Sequence, residues 1–352
     1  MVKAKKLKVY VGMSGGVDSS LSAALLIEQG YDVTGVYMKN WTEDLPGNKC
    51  PWAEDLADAK RVAVQLGIPL KVYDFQKEYK HKVVDYMLRE YQAGYTPNPD
   101  IICNEEVKFK LFLEQALEDG ADVIATGHYA QVGGSKNASV ASLLKAKDEG
   151  KDQTYFLCRV TGAALAKTIF PIGGMLKSKV KTEAKKRRLI SASRRESMGI
   201  CFVGTVGIRE FLGQYVNTEP GKIVDKKTGK TVGSHDGAIF YTLGQRHSLD
   251  IGGGLPYYVV GKDMKKNIVY VSRDLNEEEF WRRELELANV FWRDKPEVGK
   301  VYQVRLRHRA HLVSATVEGN IVKLERPERA VAPGQSAVFY DGDICIGGGV
   351  VV

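Results

Sequence analysis

Apolar segments and helix-type patterns alternate through roughly the first 130 residues, and this alternation limits the possible folds more than any other feature. Residues Leu7–Val11 read as a strand, and a glycine-rich turn separates them from a helix between Asp18 and Gln29. Strands joined through helices normally lie parallel in one sheet, so we predict an α/β, doubly wound parallel sheet here. The other predicted strands are Val33–Met38, Leu70–Phe75 and Asp122–Gly127, and the other helices lie near 56–66, Lys77–Gln92 and Glu105–Glu118.

The turn after the first predicted strand reads GMSGGVDSS, from Gly12 to Ser20. Glycines let backbone amides converge on one point, and the start of the next helix adds its positive end, so the loop is suited to phosphate groups. It lies at the carboxyl end of a strand, where doubly wound sheets bind ligands. The chain has no GxxxxGK[ST] segment and the loop is not GxGxxG, which disfavours γ-phosphate transfer and the usual dinucleotide site.

The sequence pattern changes after about residue 204. Short strand-type runs surround Thr228-Gly229, and after Trp281 short alternating strands are separated by Gly319-Asn320 and Asp341-Gly342. Such a series of turns predicts a small central domain and a C-terminal β-barrel. The predicted domains are therefore 1–203, 204–280 and 281–352.

The chain is basic, with 51 Lys and Arg against 43 Asp and Glu and a net charge of +8. Basic residues cluster at 177–195, and a strand pattern over Tyr302–Arg309 would place Arg305, Arg307 and Arg309 on one face. These clusters favour a polyanionic partner such as nucleic acid. The absence of an apolar run of about 20 residues or of a signal-peptide pattern predicts a cytoplasmic protein without a membrane segment.

The five cysteines are sparse and contain no CxxC pair, so neither a disulfide scaffold nor a zinc site is predicted. Cys103 lies just ahead of the predicted helix at Glu105–Glu118, whose N-terminal field would favour the thiolate, and Asp100 could transfer a proton. Alternatively, Cys103 is a small buried apolar residue and Asp100 caps a turn. Cys201, after Met-Gly-Ile, is a second candidate thiol.

The segment S-G-G-x-D-S in the glycine-rich loop resembles the PP-loop of the ATP pyrophosphatases, which form AMP and pyrophosphate while adenylating an acceptor. This resemblance implies that the loop holds the pyrophosphate end of ATP and that Asp18 helps to organise Mg²⁺. It also implies that Met38 and Gly127 lie beside the base or ribose. Two thiols at such a site would indicate sulfur transfer, in which one carries a persulfide and the other displaces its sulfur.

Seven segments together resemble the tRNA-specific 2-thiouridylases, in that family's order and over nearly the whole chain. They are GMSGGVDSS, PNPDIICNEEVKF, ATGHYA, KDQTYFL, ESMGICFVG, YTLGQR and APGQSAVFYDGD. The resemblance implies ATP-dependent 2-thiolation of the wobble uridine, position 34 of tRNA, with release of AMP and pyrophosphate. It also implies a persulfide donor protein as partner and a chain that acts as a monomer.

The resemblance also assigns roles to individual residues. ATP would be bound by Gly12, Met13, Ser14, Gly15, Gly16, Val17, Asp18, Ser19, Met38 and Gly127. The target base would meet Asn98, Pro99 and Asp100, with Cys103 as nucleophile and Cys201 as persulfide carrier; Lys151, Asp152, Gln153, Arg307 and His308 would contact tRNA. The chain departs from the family pattern at Gly133–Lys147, at SASRRES before the second cysteine, and at His308, where tyrosine is common.

Three other interpretations stay open at this point. The chain could be an ATP pyrophosphatase that uses ammonia, as GMP synthetase and argininosuccinate synthetase do, although these need no paired cysteines. It could be an RNA-binding protein with an inactive loop. Finally, Asp100, Cys103 and Cys201 could hold an iron–sulfur cluster.

Overall fold

The computed structural model describes residues 6–44, 50–134, 141–194, 207–216, 218–249, 251–252, 255–274, 276 and 280–352. They form two compact units, each assembled from separate stretches of the chain. Unit 1 comprises Met1–Val83, Asp100–Val206 and Asp343–Ile346, and unit 2 comprises Val84–Pro99, Gly207–Gly342 and Gly347–Val352. The domain limits predicted from the sequence stay predictions.

Unit 1 contains the parallel sheet that the alternating pattern predicts. The strands of unit 1 are β1 (Lys8–Gly12), β2 (Asp32–Lys39), β3 (Leu70–Asp74), β4 (Val123–Ala125), β5 (Gln131–Gly134), β6 (Ala141–Leu144) and β7 (Thr168–Ile169). The sheet has the order β3-β2-β1-β4-β7, and each adjacent pair is parallel. β1 is central and its residues Val9 and Val11 are fully buried. The doubly wound α/β prediction is confirmed.

Helices α1 (Val17–Glu28) and α2 (Trp52–Leu66) follow β1 and β2. Their apolar sides pack with β1 in one core cluster, to which Ala23 and Leu26 of α1 contribute fully buried side chains. α2 ends at Gly67, whose φ of 67° is left-handed and suits glycine at a helix C-terminus. Both helices lie where the sequence predicts them.

The region predicted as one helix at Lys77–Gln92 contains α3 (Gln76–Tyr79), a π-helical segment (Lys80–Val84) and α4 (Asp85–Gln92). The next helical region begins earlier than expected, with α5 (Pro99–Ile102), a π-helical segment (Cys103–Leu111) and α6 (Phe112–Glu118). The prediction that Cys103 lies ahead of a helix is therefore wrong. Proline is favoured at the first position of a helix, and Pro99 starts this one a full turn before Cys103. The electrostatic field of a helix N-terminus falls off within the first turn, so it acts only weakly on the Cys103 thiol.

The rest of unit 1 contains helices α7 (Gly162–Ala166) and α8 (Lys177–Lys186), together with 3-10 segments at Thr154–Leu157 and Ile190–Ser193. Helix α8 packs against α1, and Val180 and Ala184 share a core cluster with Leu21. β5 and β6 pair antiparallel, and Leu144 and Leu143 of β6 pair with Ile344 and Cys345 near the C-terminus. No helix among the described residues combines the length and apolar character needed to cross a membrane.

Unit 2 contains a small mixed sheet after helix α9 (Ile208–Tyr215). Its strands are β8 (Gly221–Asp225), β9 (Thr231–His235), β10 (Tyr258–Asp263) and β11 (Ile268–Ser272), in the order β10-β11-β8-β9. Gly229, with φ of 68°, makes the turn predicted between β8 and β9. The core contains Ile223, Val259 and Val269, all fully buried.

The last part of unit 2 is the predicted antiparallel barrel. Its strands are β12 (Trp281–Trp292), β13 (Tyr302–Arg305), β14 (Val313–Glu318), β15 (Ile321–Arg329), β16 (Ser336–Asp341) and β17 (Ile344–Val351). They follow the order β12-β15-β14-β13-β16-β17, and pairing of β12 with β17 closes the barrel. The predicted turns contain Gly319 and Gly342, each with φ of 61°. The barrel prediction is confirmed.

The basic strand predicted over Tyr302–Arg309 is shorter than expected. β13 ends at Arg305, and a turn follows in which the Ala310 amide donates to the Arg307 carbonyl and Arg309 has φ of 62°. The alternation of faces therefore stops after Arg305, and the prediction of one arginine face is wrong. Arg307 and His308 both lie in this turn, so strand alternation does not place their side chains on opposite faces.

Closure of the barrel depends on glycine at Gly348. A Cβ at this position would lie 2.1 Å from the carbonyl oxygen of Ala337 on the neighbouring strand. We expect Gly348→Ala to lower the free energy of unfolding by about 1–3 kcal/mol, because the backbone of two strands must separate. Urea unfolding followed by tryptophan fluorescence would measure this loss.

The matched control is Gly213→Ala in α9, where an added Cβ meets nothing within 4 Å. Alanine in an exposed helix is expected to be neutral or to stabilise by about 0.5–1 kcal/mol. Equal unfolding midpoints for the two variants would contradict the role given to Gly348.

Candidate functional site

The glycine-rich loop is held in a tight curve between β1 and α1. Gly15 has φ of 74°, in the left-handed region that favours glycine. The Ser19 hydroxyl accepts from the Ser14 amide at 3.3 Å and donates to the Gly16 carbonyl at 3.1 Å. These bonds fold the loop back on the first turn of α1, where the amides have no partner within the helix. The curve therefore forms a candidate anion site.

Two residues from neighbouring strands lie against this loop, as the resemblance predicts. A Cβ on Gly12 would lie 3.1 Å from Cε of Met38 in β2. A Cβ on Gly127, just after β4, would lie 2.8 Å from the backbone nitrogen of Ser19. The structure therefore brings the loop, Met38 and Gly127 together at the carboxyl ends of three adjacent strands. Their predicted role in ATP binding stays a prediction.

The carboxylate of Asp18 is held by two residues that the sequence reasoning did not select for this site. Nζ of Lys177 donates to both Asp18 oxygens, at 2.7 and 2.8 Å, and the Tyr129 hydroxyl donates to Oδ1 at 2.9 Å. Lys177 is only 7% exposed. It is the first residue of α8, where the helix dipole disfavours a cation, and that unfavourable position is the sequence signal that could have identified it.

The basic cluster at 177–194 is partly neutralised inside unit 1. Arg187 forms ion pairs with Glu28 at 2.7 Å and Glu183 at 2.5 Å, and hydrogen bonding by Arg187 and Lys186 lowers the pKa of Glu183 to about 2. Arg194 pairs with Asp55 and, at 2.8 Å, with Asp58 of α2. The basic side chains of this cluster that are exposed are Lys179, Lys181, Lys185, Lys186 and Arg188.

The helical region that carries Cys103 is anchored to the KDQTYFL segment. Nδ2 of Asn104 donates to the Phe156 carbonyl at 3.1 Å, and Nε of Arg159 donates to Glu105 at 2.6 Å. Cys103 itself is 2% exposed. Burial raises the pKa of the Asp100 carboxyl, and the positive charge of Lys108 opposes that shift.

The same helical region reaches the glycine-rich loop and the ATGHYA segment. The ring of Phe112 comes within 3.6 Å of the ideal Cβ position on Gly12, and the rings of Phe109 and His128 lie 5.6 Å apart. Phe109 and Cys103 belong to the same π-helical segment, and Phe112 begins the helix that follows it. One continuous helical region therefore connects the buried thiol to the candidate anion site.

Two of the three KDQ residues serve the structure of their own loop. Oδ1 of Asp152 accepts from the Ala146 amide at 3.0 Å and Oδ2 accepts from the Thr154 hydroxyl at 2.7 Å, with the residue 4% exposed. Oε1 of Gln153 accepts from the Tyr129 amide at 2.8 Å. The RNA contacts predicted for Lys151, Asp152 and Gln153 stay predictions, and Lys151 is the cationic side chain among them.

The remaining predicted site residues are distributed as follows. Cys201 lies outside the described residues. Asn98 and Pro99 belong to unit 2, immediately before Asp100 in the chain, and Arg307 and His308 lie in the barrel turn after β13. The structure therefore tests neither the pairing of the two cysteines nor the set of RNA contacts.

Asp18, within the glycine-rich loop, is one carboxylate that could serve a metal ion. Asp58 of α2 also lies against the loop, with its Cβ 2.8 Å from the ideal Cβ position on Gly15, and it pairs with Arg194. Within the part of the chain that the structure describes, no group of three or more His, Cys, Asp or Glu side chains is arranged to hold a metal. Mg²⁺ bound together with a nucleotide commonly takes only one or two protein carboxylates, and phosphates and water complete its shell. The carboxylate residues Asp18 and Asp58 fit that pattern.

His128 provides a test of the buried environment beside the loop. Burial, helped by the charge of Lys108, lowers its pKa well below the usual 6.5, and its Nδ1 lies 2.8 Å from the Thr126 hydroxyl. As pH falls below about 6.5, His128 becomes protonated in the unfolded chain and stays neutral in the folded chain. We expect this histidine to reduce folding stability by up to about 1.4 kcal/mol per pH unit between pH 6.5 and 5.

The measurement compares urea unfolding of the wild type, His128→Gln and His247→Gln across that pH range. The first variant should lose stability less steeply than the wild type. The second, which removes an exposed histidine, should follow the wild-type slope. Identical slopes for all three proteins would contradict the buried neutral state of His128.

Family models match three successive parts of the chain. They are described as a tRNA methyl transferase HUP domain at residues 7–205, a tRNA methyl transferase PRC-barrel domain at 209–273 and an aminomethyltransferase beta-barrel domain at 282–351.

Curated relatives match nearly the whole chain. The tRNA-specific 2-thiouridylase MnmA of Bacillus subtilis (strain 168) is 45% identical over 353 residues, which cover 98% of this chain and 94% of that protein. The protein of the same description from Streptococcus sanguinis (strain SK36) is 44% identical over 357 residues, with 98% and 95% covered. A solved 4-thiouridine synthetase–RNA complex with bound ATP gives a TM-score of 0.34 at 17% identity, covering 59% of this chain and 50% of that one, too low to carry an argument.

Proposed function

This chain belongs to the family of tRNA-specific 2-thiouridylases, and from that membership we propose its reaction and the roles of its residues. It is a tRNA sulfurtransferase that thiolates uridine in tRNA. The specific reaction we propose is ATP-dependent replacement of the C2 oxygen of the wobble uridine, position 34, by sulfur, with AMP and pyrophosphate as products. The supporting observation is that the helical region carrying Cys103 contacts both the glycine-rich loop and the segment after β4.

The first proposed step is adenylation of the uracil C2 oxygen. The oxygen attacks the α-phosphate of ATP, and the pyrophosphate leaves into the loop from Gly12 to Ser19, where amides and the start of α1 offset its charge. Lys177, held against Asp18, places a cation at the same point. Met38 and Gly127 line the base and ribose. Mg²⁺, when bound through Asp18 and the phosphates, would offset further charge.

The second proposed step transfers sulfur. A donor protein loads a persulfide on Cys201, and its sulfur replaces the activated oxygen while AMP leaves. In the direct route the terminal sulfur attacks C2 and AMP leaves; Cys103 then attacks the Cys201 sulfur of the C2–S–S–Cys201 adduct, which breaks the S–S bond, forms the Cys103–Cys201 disulfide and frees the thiocarbonyl. In the alternative route Cys103 first attacks the Cys201 sulfur of the persulfide, forms the same disulfide and releases hydrosulfide, which attacks C2 and expels AMP. The raised pKa of Asp100 keeps its carboxyl closer to a proton-transfer range, beside the base contacts proposed for Asn98 and Pro99.

The target uridine must leave its stack to reach a recessed thiol, which fits recognition of a single-stranded anticodon loop. The exposed lysines of α8 and the barrel turn with Arg307 and His308 are the proposed phosphate contacts. Lys151 belongs to the same proposed set. The chain would act as a monomer in the cytoplasm, with tRNA and the sulfur donor as its partners.

Substitution of the two thiols is the decisive test. We expect Cys103→Ser and Cys201→Ser each to lower 2-thiouridine formation by about 10³-fold or more, because serine cannot carry or displace a persulfide sulfur. Mass spectrometry of tRNA nucleosides after reaction with a persulfide donor would measure the product. Cys158→Ser, at a cysteine that is also 2% exposed, is the matched control and should stay within a few-fold of wild type.

Measurement of AMP release in the same reactions separates the rival interpretations. An ammonia-using enzyme would still release AMP from ATP after both cysteine substitutions. An inactive RNA-binding protein would release no AMP in the presence of tRNA. An absorbance spectrum of anaerobically purified protein would test for an iron–sulfur cluster that uses Asp100, Cys103 and Cys201.

Gly127→Ala tests ATP binding at the loop separately from sulfur chemistry. The added Cβ would meet the backbone of Asp18 and Ser19 at 2.8 Å, so the loop must shift. We expect the Kd for ATP to rise by about 10–100-fold, as for loss of well-placed phosphate contacts. Gly134→Ala, where a Cβ meets nothing within 4 Å, is the control; titration calorimetry that finds both variants equal to wild type would refute the assignment.

A further inference from the structure

Two of the sequence motifs meet at Thr96, which lies in unit 2 two residues before Asn98. The Thr96 amide donates to the Pro333 carbonyl at 2.9 Å, and its carbonyl accepts from Nε2 of Gln335 at 2.7 Å. Its hydroxyl lies 3.2 Å from the Thr242 hydroxyl. Pro333 and Gln335 belong to the APGQS motif and Thr242 to the YTLGQR motif, so every polar group of Thr96 is held by one of these two motifs.

Close backbone packing surrounds the same residue. A Cβ on Gly334 would lie 2.7 Å from the Thr96 nitrogen, so only glycine permits this approach without a shift. Gly334 has φ of 90°, which also favours glycine. On the other side, a Cβ on Gly94 would lie 2.8 Å from Cγ of Met264. Segment 94–96 is therefore packed tightly on both sides.

Each holding motif is itself fixed. Oε1 of Gln245 accepts from the Thr242 amide at 3.1 Å, and its Nε2 donates to the His247 carbonyl at 2.9 Å. The Gly334 amide donates to the Val351 carbonyl at 2.8 Å, which ties the APGQS loop to the last barrel strand. Thr96 thus rests on two supports that do not depend on it.

The chain between Thr96 and Pro99 is short and stiff. Thr96 precedes Pro97 and Asn98 precedes Pro99, and a residue before proline is restricted to extended conformations. Each proline also has a fixed φ of about −65°. The position of Thr96 therefore determines the position of Asn98 and Pro99.

We propose that Thr96, Thr242 and Gln335 form a clamp that positions Asn98 and Pro99 for the thiolation reaction. The proposal rests on the proposed function, in which Asn98 and Pro99 contact the target base. In the clamp, the YTLGQR and APGQS motifs hold these two residues in position. These are positioning residues, because they act through the proline-bracketed segment. A shift of about 1 Å at a reacting group can lower a rate by about 100-fold, so such a clamp affects turnover directly.

The test is Gln335→Leu, which removes the donor to the Thr96 carbonyl at similar side-chain volume. We expect kcat for thiolation to fall by about 10-fold or more while KM for ATP stays within about twofold, the pattern of lost positioning. Hydrogen–deuterium exchange of the peptide covering 98–104 should accelerate by about 5-fold or more. Thr96→Val should act in the same direction, and Thr96→Ser, which keeps the hydroxyl, should restore kcat.

The matched control is Gln303→Leu, which removes a barrel glutamine whose Nε2 donates to the Ser314 hydroxyl at 3.1 Å. We expect Gln303→Leu and Gln335→Leu to lower the thermal midpoint of unfolding alike, because each removes one side-chain hydrogen bond. Gln303→Leu should change neither kcat nor hydrogen–deuterium exchange at 98–104. The proposal is overturned if Gln335→Leu changes kcat or this exchange no more than Gln303→Leu does. An inactive wild type would refute the proposed function instead, and the exchange comparison would still decide whether the clamp holds the segment.

Discussion

The ion pair between Asp18 and Lys177 joins the first turn of α1 to the first turn of α8, at the carboxyl end of the parallel sheet. Both residues lie at helix N-termini, where a carboxylate is favoured and an ammonium group is disfavoured. The pair is only partly exposed, so removal of either partner would leave a charge without full solvation. Asp18 lies in the first turn of α1, directly after the glycines of the loop, so the pair fixes the start of that helix to α8.

Neutralisation within unit 1 changes how the basic charge of the chain is interpreted. Arg187 is oriented toward Glu28 and Glu183, so it stabilises helix packing. Arg194 pairs with Asp55 and Asp58, and its guanidinium also lies against the glycine-rich loop, with Nη1 2.5 Å from the ideal Cβ position on Gly15. The exposed lysines of α8 and the arginines of the barrel turn remain for a polyanion. Exposed cations of this kind contribute mainly to association rate and to salt-dependent affinity. In the proposed reaction, recognition of the target base is assigned to Asn98, Pro99 and Asp100, and not to these exposed cations.

Much of the fold follows from local sequence features. The spacing of apolar residues and the residue types at turns predict the parallel sheet, the glycine-rich loop before α1 and the barrel turns at Gly319 and Gly342. Local rules failed where partners are distant in the sequence. Lys177 meets Asp18 across 159 positions and Arg194 meets Asp55 across 139. The place of Lys177 at the start of a helix could mark it as unusual, but no local pattern identifies the partner in either pair. The helical region predicted from Glu105 begins at Pro99. The meeting of two motifs at Thr96 also required three-dimensional contacts.

The discontinuous make-up of both units has a consequence for synthesis on the ribosome. Unit 1 includes Asp343–Ile346, whose backbone pairs with β6. β6 can therefore complete its pairing only after nearly the whole chain has been synthesised. Unit 2 likewise needs Val84–Pro99, made long before its barrel. Contacts of such large sequence separation slow folding and leave unpaired strand edges exposed in the meantime. A premature stop codon before Asp343 would therefore remove a backbone partner of β6 in unit 1 as well as the last strand of the barrel, and both units would remain incomplete.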